Sequence, residues 1–134
     1  MLEPQPGLRV VADPGALDRA RWEGPDGAAH VVVLRFAPDD AFAVGARIAH
    51  VDDPHAIVEP EAGYVGAWLS AEAVENDVVP RIEWSLPTER PALAQGSIAG
   101  VPAKLWLTSD ADGADRALLI VQAAYAHELS ERLR

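Results

Sequence analysis

The chain has 134 residues and no cysteine; this is the usual size of one domain, with roughly two thirds of the unfolded surface removed from water on folding. Its 21 acidic residues against 11 basic ones give a net charge of −10, which disfavours a phosphate-backbone partner, because nucleic-acid binding rests on Lys and Arg neutralising phosphates. Without cysteine there is no disulfide framework, no thiolate-ligated zinc and no thiol nucleophile, and no apolar run approaches the ~20 residues that span a bilayer.

The opening Met1-Leu2-Glu3-Pro4-Gln5-Pro6-Gly7 lacks the basic and apolar regions of a secretory signal, so a cytoplasmic location is expected, with residues 1–7 flexible. Half of the residues are apolar but only 6% are aromatic, so the core is built mainly from Val, Ile, Leu and Ala. A single lysine against ten arginines, with abundant Ala, Gly and Pro, is the usage of a GC-rich genome.

Residues 8–12 suit a short strand, and Asp13-Pro14 then reads as an N-cap followed by proline at the first helical position. Segments 19–23 and 29–36 flank Gly24-Pro25-Asp26-Gly27, which predicts a hairpin with 31–34 as its buried centre. For 42–51 a strand is preferred over a helix. Phe42, Val44, Ala46 and Ile48 alternate, and Gly45 weakens a helix by ~1 kcal/mol relative to Ala. Asp52-Asp53-Pro54-His55 closes that strand, and the proline- and acid-rich stretch up to Gly63 reads as a loop.

Tyr64, Ala67, Trp68, Ala71 and Val74 fall at spacings of three and four, which predicts a helix over 64–78, or two shorter helices meeting near Ser70 as a cap. Pro80 ends it. The alternation of Ile82, Trp84 and Leu86 with Arg81, Glu83 and Ser85 predicts a half-buried strand. After the break at 87–91, residues 92–99 are extended and lead into a hairpin spanning 103–125 about the turn 110–115. Its second arm is apolar at nearly every position and belongs in the centre of a sheet. Residues 127–134 suit a short amphipathic helix through Leu129 and Leu133. With no repeated βαβ order, the chain reads as one α+β domain over 1–134: a mostly antiparallel sheet of five to seven strands, one or two packed helices and a short C-terminal helix.

His50, Asp52, Asp53 and His55 form the one cluster offering nitrogen and carboxylate donors to a divalent cation. Their spacing matches no established zinc motif, so these candidate metal ligands stand against a solvated acidic loop. His30 and His127 carry no assignment. Asp110, Asp112, Gly113 and Asp115 resemble part of a calcium loop, but the position that needs a closing Glu is Val121, and a turn tolerant of positive φ explains the same residues. Ser70, Ser85, Ser97 and Ser109 lie in no nucleophile motif, and Gln95-Gly96-Ser97-Ile98-Ala99-Gly100 lacks the Lys-Ser/Thr of a phosphate loop. No catalytic residue and no cofactor is assigned. The tryptophans read as staples between elements. Trp106 is the exception: it shares a strand face with Lys104 and Thr108 rather than with Leu105 and Leu107, so Trp106, Lys104 and Trp84 are the candidate contact residues for a partner or ligand.

Phe36-Ala37-Pro38, an extended segment to Val51, an expected helix at 64–77 and Ile98-Ala99-Gly100-Val101-Pro102-Ala103 before a strand, an Asp112-Gly113 turn and a final strand resemble the Mog1/PsbP-like group, including its actinobacterial LpqN-type members. The likeness covers about the last two thirds of the chain. It departs in lacking the secretory or lipoprotein signal of many relatives and their usual proline-glycine-tryptophan opening. The resemblance implies an α+β fold with binding and accessory roles, and no shared catalytic set to carry over. The leading expectation is therefore a small non-enzymatic binding or accessory protein with a protein partner or small apolar ligand. The alternative is a small metal-dependent or hydrolytic enzyme using the His50, Asp52, Asp53 and His55 loop. A homodimer through sheet edges or a tryptophan face is compatible with either.

Overall fold

In chain order the elements are β1 (Glu3–Pro4), β2 (Gly7–Val11), α1 (Pro14–Asp18), β3 (Arg21–Glu23), β4 (Val32–Ala37), β5 (Asp40–Val44), β6 (Ile48–His50) and β7 (Ile57–Glu61). They continue with β8 (Tyr64–Ser70), α2 (Ala71–Ala73), β9 (Ala92–Ile98), β10 (Val101–Ser109), β11 (Asp115–Gln122) and α3 (Ala126–Arg132). The structure is a computed structural model that describes residues 2–28 and 30–133. Ala29, at the start of an expected hairpin arm, and Met1 and Arg134, at the ends of expected segments, lie outside the described residues. Strand pairing is antiparallel throughout the three sheets, so the fold is of the expected α+β class. Backbone contacts group the chain into two compact units, one of them Gln5–Gly63.

In that unit a four-stranded sheet has the order β4-β5-β2-β7, and β3 pairs with β6 in a separate ribbon. Alternation in β2 buries Leu8 and Val10, which lie opposite Ala43 and Ala41. Large side chains against alanines let the layer close around Ala12, Leu17 and Ala46. As expected, Asp13 caps α1, its carboxylate accepting from the Ala16 N–H at 3.2 Å, with Pro14 in the first turn. Arg9, on the opposite face of β2, makes a bidentate pair with Asp40 at 2.7 and 2.8 Å and stacks 4.8 Å over Phe36.

Three expectations in this unit need correction. The arms flanking Gly24-Pro25-Asp26-Gly27 do not pair with each other: β3 pairs with β6, and β4 pairs with β5. Among the described residues an isolated bridge between Gly24 and Gly27 closes the turn. The expected strand over 42–51 is split at Gly45, whose φ of 84° turns the chain in a way side-chain-bearing residues resist. The expected loop before Gly63 contains β7. It runs at the sheet edge, where Pro60 costs least because the outer side of an edge strand has no ladder bonds to lose.

The second unit holds a five-stranded sheet in the order β1-β8-β11-β10-β9. β11 is central, as its apolar run demands, with residues 117–121 buried on both faces. On one face Ala103, Leu105, Leu107, Ala117, Leu119 and Val121 form the core with Val74, Val78 and Leu129. The expected helix over 64–78 is corrected to a strand followed by a short helical segment. β8 is paired on both sides, by β1 and β11, and those ladder bonds outweigh a helical spacing that the same residues also satisfy. Ser70 does cap α2, its hydroxyl accepting from the Ala73 N–H at 3.1 Å. After α2 comes a π turn at Val74–Val78 and a 3-10 turn at Val79–Arg81 that contains Pro80. The expected strand over 81–86 forms no ladder. Its alternation reports packing instead, since Ile82, Trp84 and Leu86 lie against the core.

Candidate functional site

Trp106 and Lys104 sit on one face of β10, both partly buried. Trp106 lies between Leu118 and Leu93, and Lys104 between Ile120 and Gln95. Trp84 belongs to the opposite face: it packs against the core that includes Leu105 and Leu107. Its indole lies on Gly96, where a Cβ would meet the ring at 2.7 Å, and its Nε1 donates to the Ser97 carbonyl at 2.9 Å. Trp84 therefore does not join Trp106 and Lys104 in one site.

Sequence reasoning passed over Trp68 and Arg116. Trp68 is in register with Leu118, so it continues the row from Trp106 across the sheet. It is 42% exposed, and the Arg116 guanidinium lies 4.0 Å over its ring. The available signal was the alternation of Tyr64, Gly66 and Trp68 with Val65, Ala67 and Leu69, hidden behind the helical spacing.

The residues at 50–55 do not converge. His50, at the end of β6, places Nε2 2.5 Å from the Glu23 carboxylate across the ribbon. Asp53 turns both oxygens to backbone: it accepts from the Asp13 N–H and from the His55 N–H, each at 2.8 Å. Those two bonds hold its carboxyl below the ordinary range and tie the loop to the start of α1. Asp52 and His55 are exposed. Among the described residues no group of three or more His, Cys, Asp or Glu is placed to hold a metal ion. The Asp110 carboxylate likewise serves its own turn, accepting from the Asp112 and Ala114 N–H groups at 2.9 and 3.0 Å, with Gly113 at a φ of 83°.

Clefts provide the remaining candidates. In the Gln5–Gly63 unit one of about 550 Å³ is lined by Gly7, Gly24, Gly27 and Gly45 together with Leu8, Val31, His30 and Arg47. In the second unit a cleft of about 360 Å³ opens between α2, the segment 86–90 and the end of the β10–β11 hairpin. Val74, Leu86 and Leu107 supply apolar wall, while Thr88, Arg90, Asp115 and Glu75 bring polar groups to the same space. Comparison with family models, with curated proteins and with solved structures finds no match to this chain. The chemistry of the site rests on its geometry.

Arg90 is the most distinctive group there. Its Nη1 donates to the Pro87 and Glu89 carbonyls at 2.8 and 2.9 Å, which braces the segment. Its Nε is buried with no hydrogen-bond partner, the Asp115 carboxylate standing 3.9 Å away. An apolar wall with a few convergent polar groups is the general make-up of ligand pockets, and the volume of this cleft lies at the lower end of their range.

Proposed function

We propose that the chain is a small cytoplasmic non-enzymatic binding protein, with the cleft bounded by Val74, Leu86, Arg90 and Leu107 as its ligand seat. The observation that carries this reading is the coincidence in one cleft of an apolar wall from Val74, Leu86 and Leu107 with the polar side chains of Thr88, Arg90 and Asp115. Burial of an apolar ligand body supplies affinity, and the fixed polar groups supply orientation. The resemblance to the Mog1/PsbP-like group, whose members have binding and accessory roles, points the same way.

The test is a screen of small apolar compounds read by melting temperature, since a ligand that binds only the folded state raises it. The screen is repeated on Thr88→Trp, which fills the cleft from an exposed rim position. Compounds that stabilise the wild type and not Thr88→Trp support the cleft as the seat. Compounds that stabilise both equally place binding elsewhere, and a screen without hits removes the reading.

A further inference from the structure

We propose that two adjoining clefts beside the β3–β6 ribbon hold a small phosphate monoester with an apolar body, its phosphate taken by Arg19, Arg21 and His50. This site belongs to the Gln5–Gly63 unit and does not depend on the reading of the Arg90 cleft. Arg21 on β3 and His50 on β6 are in direct register, and side chains directly opposite each other in an antiparallel pair share one face. A cleft of about 590 Å³ is lined by Arg21 and His50 together with Ala28, Val31 and Val33. Another, of about 330 Å³, is lined by the same Arg21 and His50 and by Arg19 and Asp52. Arg21 and His50 therefore border an apolar space on one side and a polar one on the other.

The two arginines have no counter-charge of their own. Arg9, Arg35, Arg90 and Arg132 each make an ion pair with a carboxylate, whereas among the described residues Arg19 and Arg21 make none. In a chain of net charge −10, two unpaired guanidiniums lining one space are a local exception. A phosphate monoester brings close to two negative charges and three acceptor oxygens, which two guanidinium forks can bond from different sides. A carboxylate has two oxygens and is filled by one fork. His50 is held through Nε2 by Glu23, and in its protonated form the ring donates from Nδ1 as well. The apolar body packs on Val31 and Val33. The negative charge of the remaining surface repels a long polyanion, so the partner is a small molecule. Asp52 is an internal competitor, since its charge opposes that of the phosphate.

Titration calorimetry with phenyl phosphate, inorganic phosphate and benzoate tests this. The wild type is expected to bind phenyl phosphate about tenfold tighter than inorganic phosphate, which lacks the apolar body, and about tenfold tighter than benzoate, which lacks the third oxygen and the second charge. Arg21→Gln is expected to weaken phenyl phosphate about tenfold, and the double variant Arg19→Gln, Arg21→Gln to abolish measurable binding. Asp52→Asn, at an exposed position, is expected to tighten it about threefold, a gain that damage to the fold does not produce. Equal affinity for phenyl phosphate and benzoate overturns the phosphate class, and equal affinity for phenyl and inorganic phosphate overturns the monoester. Binding that survives the double variant, that is lost in Thr88→Trp, or that is absent from the wild type overturns the site.

Discussion

Gly96→Ala should destabilise the protein through a single neighbour, Trp84. A Cβ at Gly96 would sit 2.7, 2.8 and 3.0 Å from Cε2, Nε1 and Cζ2 of the indole, closer than carbon and nitrogen atoms tolerate. The ring cannot swing aside freely, because its Nε1 is bonded to the Ser97 carbonyl at 2.9 Å and its face packs against the core. Relief requires lifting the indole and lengthening that bond, which places the cost at about 2 kcal/mol, within the usual range for overpacking. In a Trp84→Ala background the clash is absent. There the same change should be neutral or stabilising by up to ~1 kcal/mol, since glycine inside a strand is entropically unfavourable. The assay is a double-mutant cycle by urea denaturation followed by far-ultraviolet circular dichroism, with an expected coupling of about 2–3 kcal/mol. Additivity within ~0.5 kcal/mol would refute the packing of Trp84 on β9.

Two further perturbations bear on the Gln5–Gly63 unit. The carboxyl of Asp53 lies below its ordinary value of 3.8 because the Asp13 and His55 N–H groups bond its charged form, so its stabilising contribution is complete above the unfolded-state value and lost as pH falls through the folded one. Asp53→Asn should therefore lower the melting temperature near neutral pH, and the gap to wild type should close on acidification; a gap constant down to pH 2 would contradict the two bonds. Arg9→Met leaves Asp40 without its bidentate partner, with only 24% of that side chain exposed, and should cost about 1–3 kcal/mol by thermal denaturation. Combining it with Asp40→Leu should recover most of that loss, and a double variant no more stable than Arg9→Met would count against the pair.

Strict alternation and turn chemistry set the part of the fold that was legible in the sequence. The hairpin about the turn 110–115 comes from the alternation of its first arm, the central place of β11 from its nearly continuous apolar run, and the capping roles of Asp13 and Ser70 from oxygens that can receive a free N–H; residues 123–125, expected in the second arm, form a 3-10 turn instead. Residues 64–70 show where this fails. Tyr64, Ala67, Trp68 and Ala71 satisfy a helical spacing, while Tyr64, Gly66 and Trp68 alternate with Val65, Ala67 and Leu69, and what decides is pairing with β1 and β11 from distant parts of the chain. Residues 82–86 show the converse: alternation marks the faces an extended segment presents, and a strand exists only where a neighbour supplies the ladder. The cleft was hidden for the same reason. Arg90 lies in a proline-bounded break, and only folding brings it against Val74, Leu107 and Asp115.

The most direct measurement on the proposed ligand seat is a titration of the ¹⁵N-labelled protein with the screened apolar compound that most raises its melting temperature, monitored by ¹⁵N–¹H correlation spectra. Saturable shifts are expected at Val74, Thr88, Arg90, Leu107 and Asp115, with the resonances of His50, Asp53 and His55 unmoved. Shifts centred on residues 50–55 or on the glycine-lined cleft of the Gln5–Gly63 unit, or no saturable shift at all, would contradict the assignment of the Arg90 cleft as the binding site.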